Sequence, residues 1–102
     1  MSEAAMTHYI ALLEEEEGKA VGVWFPDLPG CFSAGETLDE AMLNAREAVA
    51  LYTESLSHYG QGLPRTRTLT ELKADPDVSA DLKAYMIVRV PLEEHGLRPA
   101  AE

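Results

Sequence analysis

Along the first third of the chain, apolar residues follow the two-residue rhythm of strands. Between Thr7 and Glu14, Tyr9, Ala11 and Leu13 fall on one side and Ile10 and Leu12 on the other. A strand apolar on both faces belongs in the middle of a sheet or under cover on both sides. Glu15-Glu16-Glu17-Gly18 is a polar turn that ends in glycine and suits a hairpin. From Lys19 to Phe25 the alternation resumes, with Val21, Val23 and Phe25 opposite Ala20, Gly22 and Trp24. A short third strand is expected over Cys31 to Ala34, after the turn Pro26-Asp27-Leu28-Pro29-Gly30, and Gly35 ends it.

The period then changes to that of a helix. Thr37-Leu38-Asp39-Glu40 has the spacing of a capping box, in which Thr37 accepts a free backbone N–H and Glu40 reaches back to the cap residue. Asp39 and Glu40 also suit the positive end of the helix dipole. Leu38, Ala41, Met42, Ala45, Ala48, Val49, Tyr52, Leu56 and Tyr59 recur on one face, which predicts a helix over about 38–59. Gly60, Gly62 and Pro64 stop it. Thr68-Leu69-Thr70-Glu71 repeats the cap spacing and predicts a short helix ending before Asp75-Pro76, with a further helical turn around Ser79 to Lys83. From Ala84 to Val90, Met86, Val88 and Val90 alternate with Tyr85, Ile87 and Arg89, and Pro91 closes this last strand.

The order β-β-β-α-(α)-β predicts one α+β domain over residues 7–92, with flexible termini at 1–6 and 93–102. Three strands form an antiparallel meander, one long helix makes a right-handed crossover, and the last strand joins parallel to the first. The expected architecture is a two-layer βββα(α)β sheet with the helix on one face. The other face, carrying Ile10 and Leu12, would be a self-association surface if left uncovered.

Composition narrows the function. A chain of 102 residues builds only a thin core, which oligomerisation would reinforce. Its 8 basic and 18 acidic residues give a net charge of −10. That balance disfavours gripping nucleic acid, where phosphate contacts dominate affinity. It favours a basic partner, whose encounter opposite charge speeds roughly 10–10³-fold. No apolar run approaches the ~20 residues of a membrane span, and the start of the chain lacks a signal-peptide pattern. Cys31 is the only cysteine, which excludes an intrachain disulfide and a cysteine zinc cage. A cytoplasmic location is the expectation.

The candidate chemistry is sparse. In the turn motif Phe25, Pro26, Asp27, Leu28, Pro29, Gly30, the prolines fix the backbone path and Gly30 permits a positive φ. Asp27 is expected to accept from backbone N–H groups, as turn aspartates do. Glu14, Glu15, Glu16 and Glu17 read as a solvated hairpin tip. His8, His58 and His95 have no partner at metal-binding spacing. Cys31 has no basic neighbour to activate it and is expected to pack as a small hydrophobe. Trp24 faces away from Phe25 and is a candidate for a subunit or partner interface. Arg65 and Arg67 should meet nearby acids at the surface, and Tyr52 and Tyr59 should lie at the core edge. No catalytic, cofactor or metal site is assigned.

Phe25-Pro26-Asp27-Leu28-Pro29-Gly30-Cys31, then Gly35-Glu36-Thr37, Glu40-Ala41 and Ala45-Arg46-Glu47-Ala48, together resemble the HicB-like antitoxin domain. Leu63-Pro64 and Val88-Arg89-Val90-Pro91-Leu92 match its later landmarks, so the resemblance covers roughly residues 7–92. It implies a degraded ribonuclease-H-like sheet and a non-enzymatic protein that neutralises HicA, a small basic toxin that cleaves messenger RNA. It also implies dimers or larger assemblies, commonly with a C-terminal DNA-binding segment. Here eleven residues follow Pro91, fewer than a helix-turn-helix needs, so direct nucleic-acid binding is not expected. The surface expected to meet the toxin comprises Glu14, Glu15, Glu16, Glu17, Asp39, Glu40, Glu47 and Glu54, and no cofactor is implied. The alternative is a stand-alone oligomeric domain acting as a scaffold or ligand-binding module, with no toxin. A metal-dependent nuclease ranks last, because such sites need a carboxylate cluster and the predicted strands offer only Glu14 at a strand end.

Overall fold

A computed structural model describes residues 7–92. The elements run β1 (His8–Glu14), β2 (Val21–Trp24), β3 (Phe32–Gly35), α1 (Leu38–His58), α2 (Leu69–Lys73), α3 (Pro76–Ala84) and β4 (Met86–Pro91). The expected flexible termini, including His95, lie outside the described residues. The four strands form one sheet in the order β3-β2-β1-β4. β1 is central, as its two apolar faces required.

The last strand corrects one expectation. β4 runs antiparallel to β1, pairing His8 with Pro91 and Leu13 with Met86, not parallel to it. The reason is an extra traverse of the sheet. α1 starts beside the β1–β2 hairpin end and runs away from it; α2 and α3 then return along the opposite face. β4 therefore begins at the end of β1 and runs back, whereas a single crossover helix would have delivered it at the other end.

The two sheet faces have separate cores. Beneath α1, Tyr9, Ala11, Leu13, Val21, Val23, Phe25 and Val90 pack with Leu28, Cys31, Ala41, Ala45 and Val49. On the opposite face, Ile10 and Leu12 pack with Leu72 of α2 and Leu82 of α3, joined by Trp24, Leu69, Val78, Tyr85 and Ile87. The sheet and α1 form the expected two layers, and α2 with α3 adds a partial third. The Ile10–Leu12 face is thus covered within the chain.

The helix ends explain the boundaries. Thr37 caps α1 by accepting the Glu40 N–H at 3.1 Å, but Glu40 accepts the N–H of Glu36 at 2.6 Å, one residue before the cap. At the other end Gly60 has φ +76, and the N–H groups of Gly60 and Gln61 donate to the carbonyls of Ser57 and Leu56. That pairing is a Schellman stop. At α2 the capping box is complete, with Thr68 and Glu71 each accepting the other's N–H. Asp75-Pro76 ends α2 as expected but also starts α3. Asp75 accepts the Asp77 N–H at 2.9 Å, and Pro76 occupies the first turn, where its missing N–H costs nothing. α3 accordingly begins three residues earlier than the helical turn expected around Ser79.

Candidate functional site

The turn motif is the anchor of the molecule. Leu28 is fully buried and Phe25 nearly so. The Leu28 N–H donates to the Phe25 carbonyl at 3.2 Å, and the Cys31 N–H to the Leu28 carbonyl at 2.9 Å. Gly30 turns the chain at φ +85, a conformation that L side chains resist. The Tyr52 hydroxyl of α1 donates to the Pro29 carbonyl at 2.9 Å.

Asp27 does accept a backbone N–H, but from a residue far along the chain. One carboxylate oxygen accepts the Arg67 N–H at 2.8 Å and the other the Arg67 Nε–H at 2.7 Å. Its side chain is only 7% exposed. The same guanidinium donates to Asp75 at 2.7 Å, and Asp75 in turn caps α3. One Asp27–Arg67–Asp75 node therefore ties the turn to the starts of α2 and α3. Hydrogen bonds to Asp75 and Asp27 raise the Arg67 pKa above its ordinary value. The bond from Arg67, with that from the Asp77 N–H, holds the Asp75 carboxyl below the usual range. Arg65 pairs with Glu71, whose carboxyl is held low by the Thr68 N–H first and by Arg65 second. Both arginines meet acids as expected, yet Asp27, forty positions from Arg67, could not be picked from the sequence.

The acidic candidates divide by position. Glu14, Glu15, Glu16 and Glu17 are all exposed, with Lys19 only 3.6 Å from Glu16. Val21 pairs with Gly35, so this hairpin and the start of α1, with Asp39 and Glu40, lie at the same end of the sheet. Glu40, Glu47 and Glu54 recur every seven residues, which places them in one stripe along the outer side of α1. Leu43 and Leu51 flank Glu47 and are 64% and 60% exposed. Sequence reading did not single out these two leucines; their departure from the buried Ala41–Ala45–Val49 stripe was the available signal. The hairpin and the start of α1 share one end of the sheet, and Glu40, Glu47 and Glu54 carry the acidic margin on along the outer side of α1 with Leu43 and Leu51 as apolar points in it.

Trp24 does not join that margin. It lies half-buried on the α2–α3 face, edge-on to Tyr85 with ring centroids 4.9 Å apart. Tyr52 sits at the core edge as expected; Tyr59 is 75% exposed. Thr53, absent from the expected apolar stripe, is buried and donates its hydroxyl to the Val49 carbonyl at 2.9 Å. Burial pushes the Cys31 thiol up to about 11. Among the described residues, no three His, Cys, Asp or Glu side chains stand together as metal ligands, and no helix is long and apolar enough to cross a membrane. An open groove of about 610 Å³ lies between the approach to α2 and β4, lined by Ile10, Leu69 and Ile87 with His8, Arg67 and Arg89.

Comparison with known proteins gives a consistent answer. The profile of the HicB-like antitoxin of bacterial toxin-antitoxin systems matches residues 9–98. A 14.9 kDa protein of the rep-hol intergenic region of Haemophilus phage HP1 is 39% identical over 97 residues, covering 95% of this chain and 68% of that protein. The crystal structure of the Burkholderia pseudomallei antitoxin HicB superimposes with a TM-score of 0.71 at 30% identity, covering 88% of this chain and 66% of that one. A chain of a HicA3 and HicB3 toxin-antitoxin complex is similar with a TM-score of 0.66 at 26% identity, over 86% of this chain and all of that one.

Proposed function

The chain belongs to the HicB-like antitoxin family of bacterial toxin–antitoxin systems, and on that premise we propose that it binds and neutralises a small basic HicA-type toxin that cleaves messenger RNA. The acidic margin is the observation that carries this reading. It concentrates Glu14, Glu15, Glu16, Glu17, Asp39, Glu40 and Glu47 on a chain of net charge −10. A ribonuclease must bind phosphates, so its RNA-binding surface is cationic. Carboxylates in its place compete for the same cations. Complementary charge raises the encounter rate, while Leu43 and Leu51 supply apolar contact of the kind that slows dissociation. The chain acts as a protein-binding module without enzymatic chemistry of its own, and it self-associates as a homodimer or higher oligomer.

The test is the association rate of the chain with the basic toxin of its own host, followed by stopped-flow fluorescence across a range of sodium chloride. Roughly a tenfold or greater fall between low and physiological salt is expected. A Glu14→Gln, Glu15→Gln, Glu16→Gln, Glu17→Gln variant should associate more slowly at low salt and converge with wild type at high salt. A rate indifferent to salt and to these substitutions contradicts the proposal.

A further inference from the structure

The two edges of the sheet are unequal. β3 is four residues long, and the Asn44 side chain of α1 donates to its Ala34 carbonyl at 2.9 Å. β4 is six residues long and holds an unbroken register against β1. The Leu92 N–H donates to the Thr7 carbonyl at 2.8 Å, which fixes the phase of the ladder. Antiparallel pairing alternates residues that bond to the neighbour with residues that face away. Val90, Val88 and Met86 therefore bond to β1, while Ile87 and Arg89 direct N–H and C=O groups outward. Pro91 shares that outward phase, where its missing N–H costs no ladder bond. The groove of about 610 Å³ lies along this edge, with Ile87, Val88 and Arg89 on one side and residues 66–69 on the other.

The edge is graded in charge. At the Pro91 end, His8 and Arg89 line the groove and no carboxylate does. Arg67 also lines it but is engaged by Asp27 and Asp75. Neither His8 nor Arg89 has an ion pair among the described residues. His8 pairs with Pro91 and Ile10 with Arg89. The His8 and Arg89 side chains are therefore diagonal neighbours on one face, about 7–8 Å apart and within reach of one shared carboxylate. At the Met86 end, Glu14, Glu15 and Glu16 share a cavity of about 380 Å³ with Tyr85 and Met86. Basic side chains and carboxylates thus stand at opposite ends of one open strand.

We propose that this edge binds an extended segment of another protein, added antiparallel to β4 as a fifth strand and carrying the pattern acid-x-apolar-x-base. This goes beyond the toxin reading and does not rest on it. The acid would lie opposite Arg89 and the apolar residue opposite Ile87. Two residues apart on a strand, both side chains enter the groove, the first beside Arg89 and His8, the second beside Ile87 and Leu69. The base would fall near Glu14, Glu15 and Glu16. The backbones of the acid and the apolar residue would exchange hydrogen bonds with Arg89 and Ile87. In this mode main-chain bonds supply affinity and alternate side chains supply specificity. The ladder is bounded, because the Tyr85 N–H already donates to the Asp81 carbonyl at 3.0 Å and Pro91 has no N–H. A free carboxylate could answer Arg89 but not the outward N–H and C=O groups. β4 itself contains no acidic residue, so a second copy of it would set no acid opposite Arg89.

The experiment is an NMR titration of the full chain with the peptide acetyl-Thr-Glu-Thr-Val-Thr-Lys-Thr-amide, read by residue-resolved shifts and amide exchange. Saturable binding is expected, with the Ile87 and Arg89 amides protected roughly tenfold or more at saturation. The Val88 amide should be protected with or without peptide, because β1 holds it. Methylating the backbone nitrogens of the peptide's Glu and Val should weaken binding roughly tenfold or more. Exchanging its Glu and Lys should also weaken binding, roughly tenfold. Arg89→Gln, at an exposed position, should weaken the Glu peptide about two- to fivefold and leave a peptide with Gln in place of Glu unchanged. No binding at millimolar peptide overturns the proposal, as does equal binding of the methylated or the exchanged peptide. N-acetylglutamate amide binding as tightly as the peptide overturns it in favour of a small-anion site. Protection of Ile87 and Arg89 in the chain alone also overturns it, because this chain then fills its own edge. None of these outcomes bears on the toxin reading, whose test is separate.

Discussion

Asp27→Asn isolates the clasp that joins the turn motif to the third layer. Asn keeps the size of the side chain and one acceptor for the Arg67 N–H, but it turns an amide donor toward the Nε–H and removes the charge. In the native chain those contacts are 2.8 and 2.7 Å long, to a carboxylate 7% exposed. Hydrogen bonds to charged groups contribute about 1.5–3 kcal/mol, and stripping one partner from a fully buried pair costs about 3–5 kcal/mol. Arg67 is 26% exposed and keeps Asp75, so solvent and the second carboxylate offset part of that loss. The expected destabilisation is about 2–3 kcal/mol, or roughly 8–15 °C in Tm for a domain of this size. Urea unfolding should show the loss in the midpoint with the slope unchanged. A cycle with Arg67→Met should return a coupling of about 1–2 kcal/mol. Amide exchange should quicken first at Leu72 and Leu82, the buried residues of α2 and α3. An Asp27→Asn protein within about 0.5 kcal/mol of wild type, or one that loosens evenly, would refute the clasp.

Other outcomes follow from the same geometry. A Cβ added at Gly35 would stand 2.5 Å from the Ala41 nitrogen and 2.8 Å from the Glu40 carbonyl carbon; Gly35→Ala must displace the start of α1 and should cost about 1–3 kcal/mol by thermal or urea unfolding. The Asp75 and Glu71 carboxyls are held below their ordinary range when folded, so the stability they contribute is present above the unfolded carboxylate pKa of about 4 and is lost as pH falls through the lower folded value. The Tm gap between wild type and Asp75→Asn, which retains a capping side chain, should be widest near neutral pH and narrow progressively as pH falls below about 4; a constant gap contradicts the assignment. With its thiol near 11, Cys31 should be about one-thousandth thiolate at pH 8, so a disulfide reagent should label the native chain no faster than it opens.

Sequence legibility here tracked locality. β1 was readable as a central strand because Ile10 and Leu12 are as apolar as Tyr9, Ala11 and Leu13, and both sets are buried. α1 was readable within one residue because a cap, a buried stripe and a glycine stop agree. The direction of β4 was not, since it depends on how far α2 and α3 carry the chain, and the short apolar pattern of α3 looked like an isolated turn. Asp75-Pro76 was legible as a stop and not as a start, because the same dipeptide serves both. The roles of the turn residues in shaping the loop were local and visible; the Asp27–Arg67 bond spans two layers and left no periodic trace. The acidic stripe of Glu40, Glu47 and Glu54 could be seen, whereas its apolar neighbours Leu43 and Leu51 stood out only once α1 was docked through Ala41, Ala45 and Val49.

The central claim is neutralisation of a messenger-RNA-cleaving toxin, and the direct measurement is cleavage of a defined transcript by the HicA-type toxin of the same host while this chain is titrated in. Cleavage should fall linearly to zero at a fixed stoichiometric ratio, and the acidic-hairpin variant should need more chain to reach the same point. Undiminished cleavage at a large molar excess of folded chain would contradict the account.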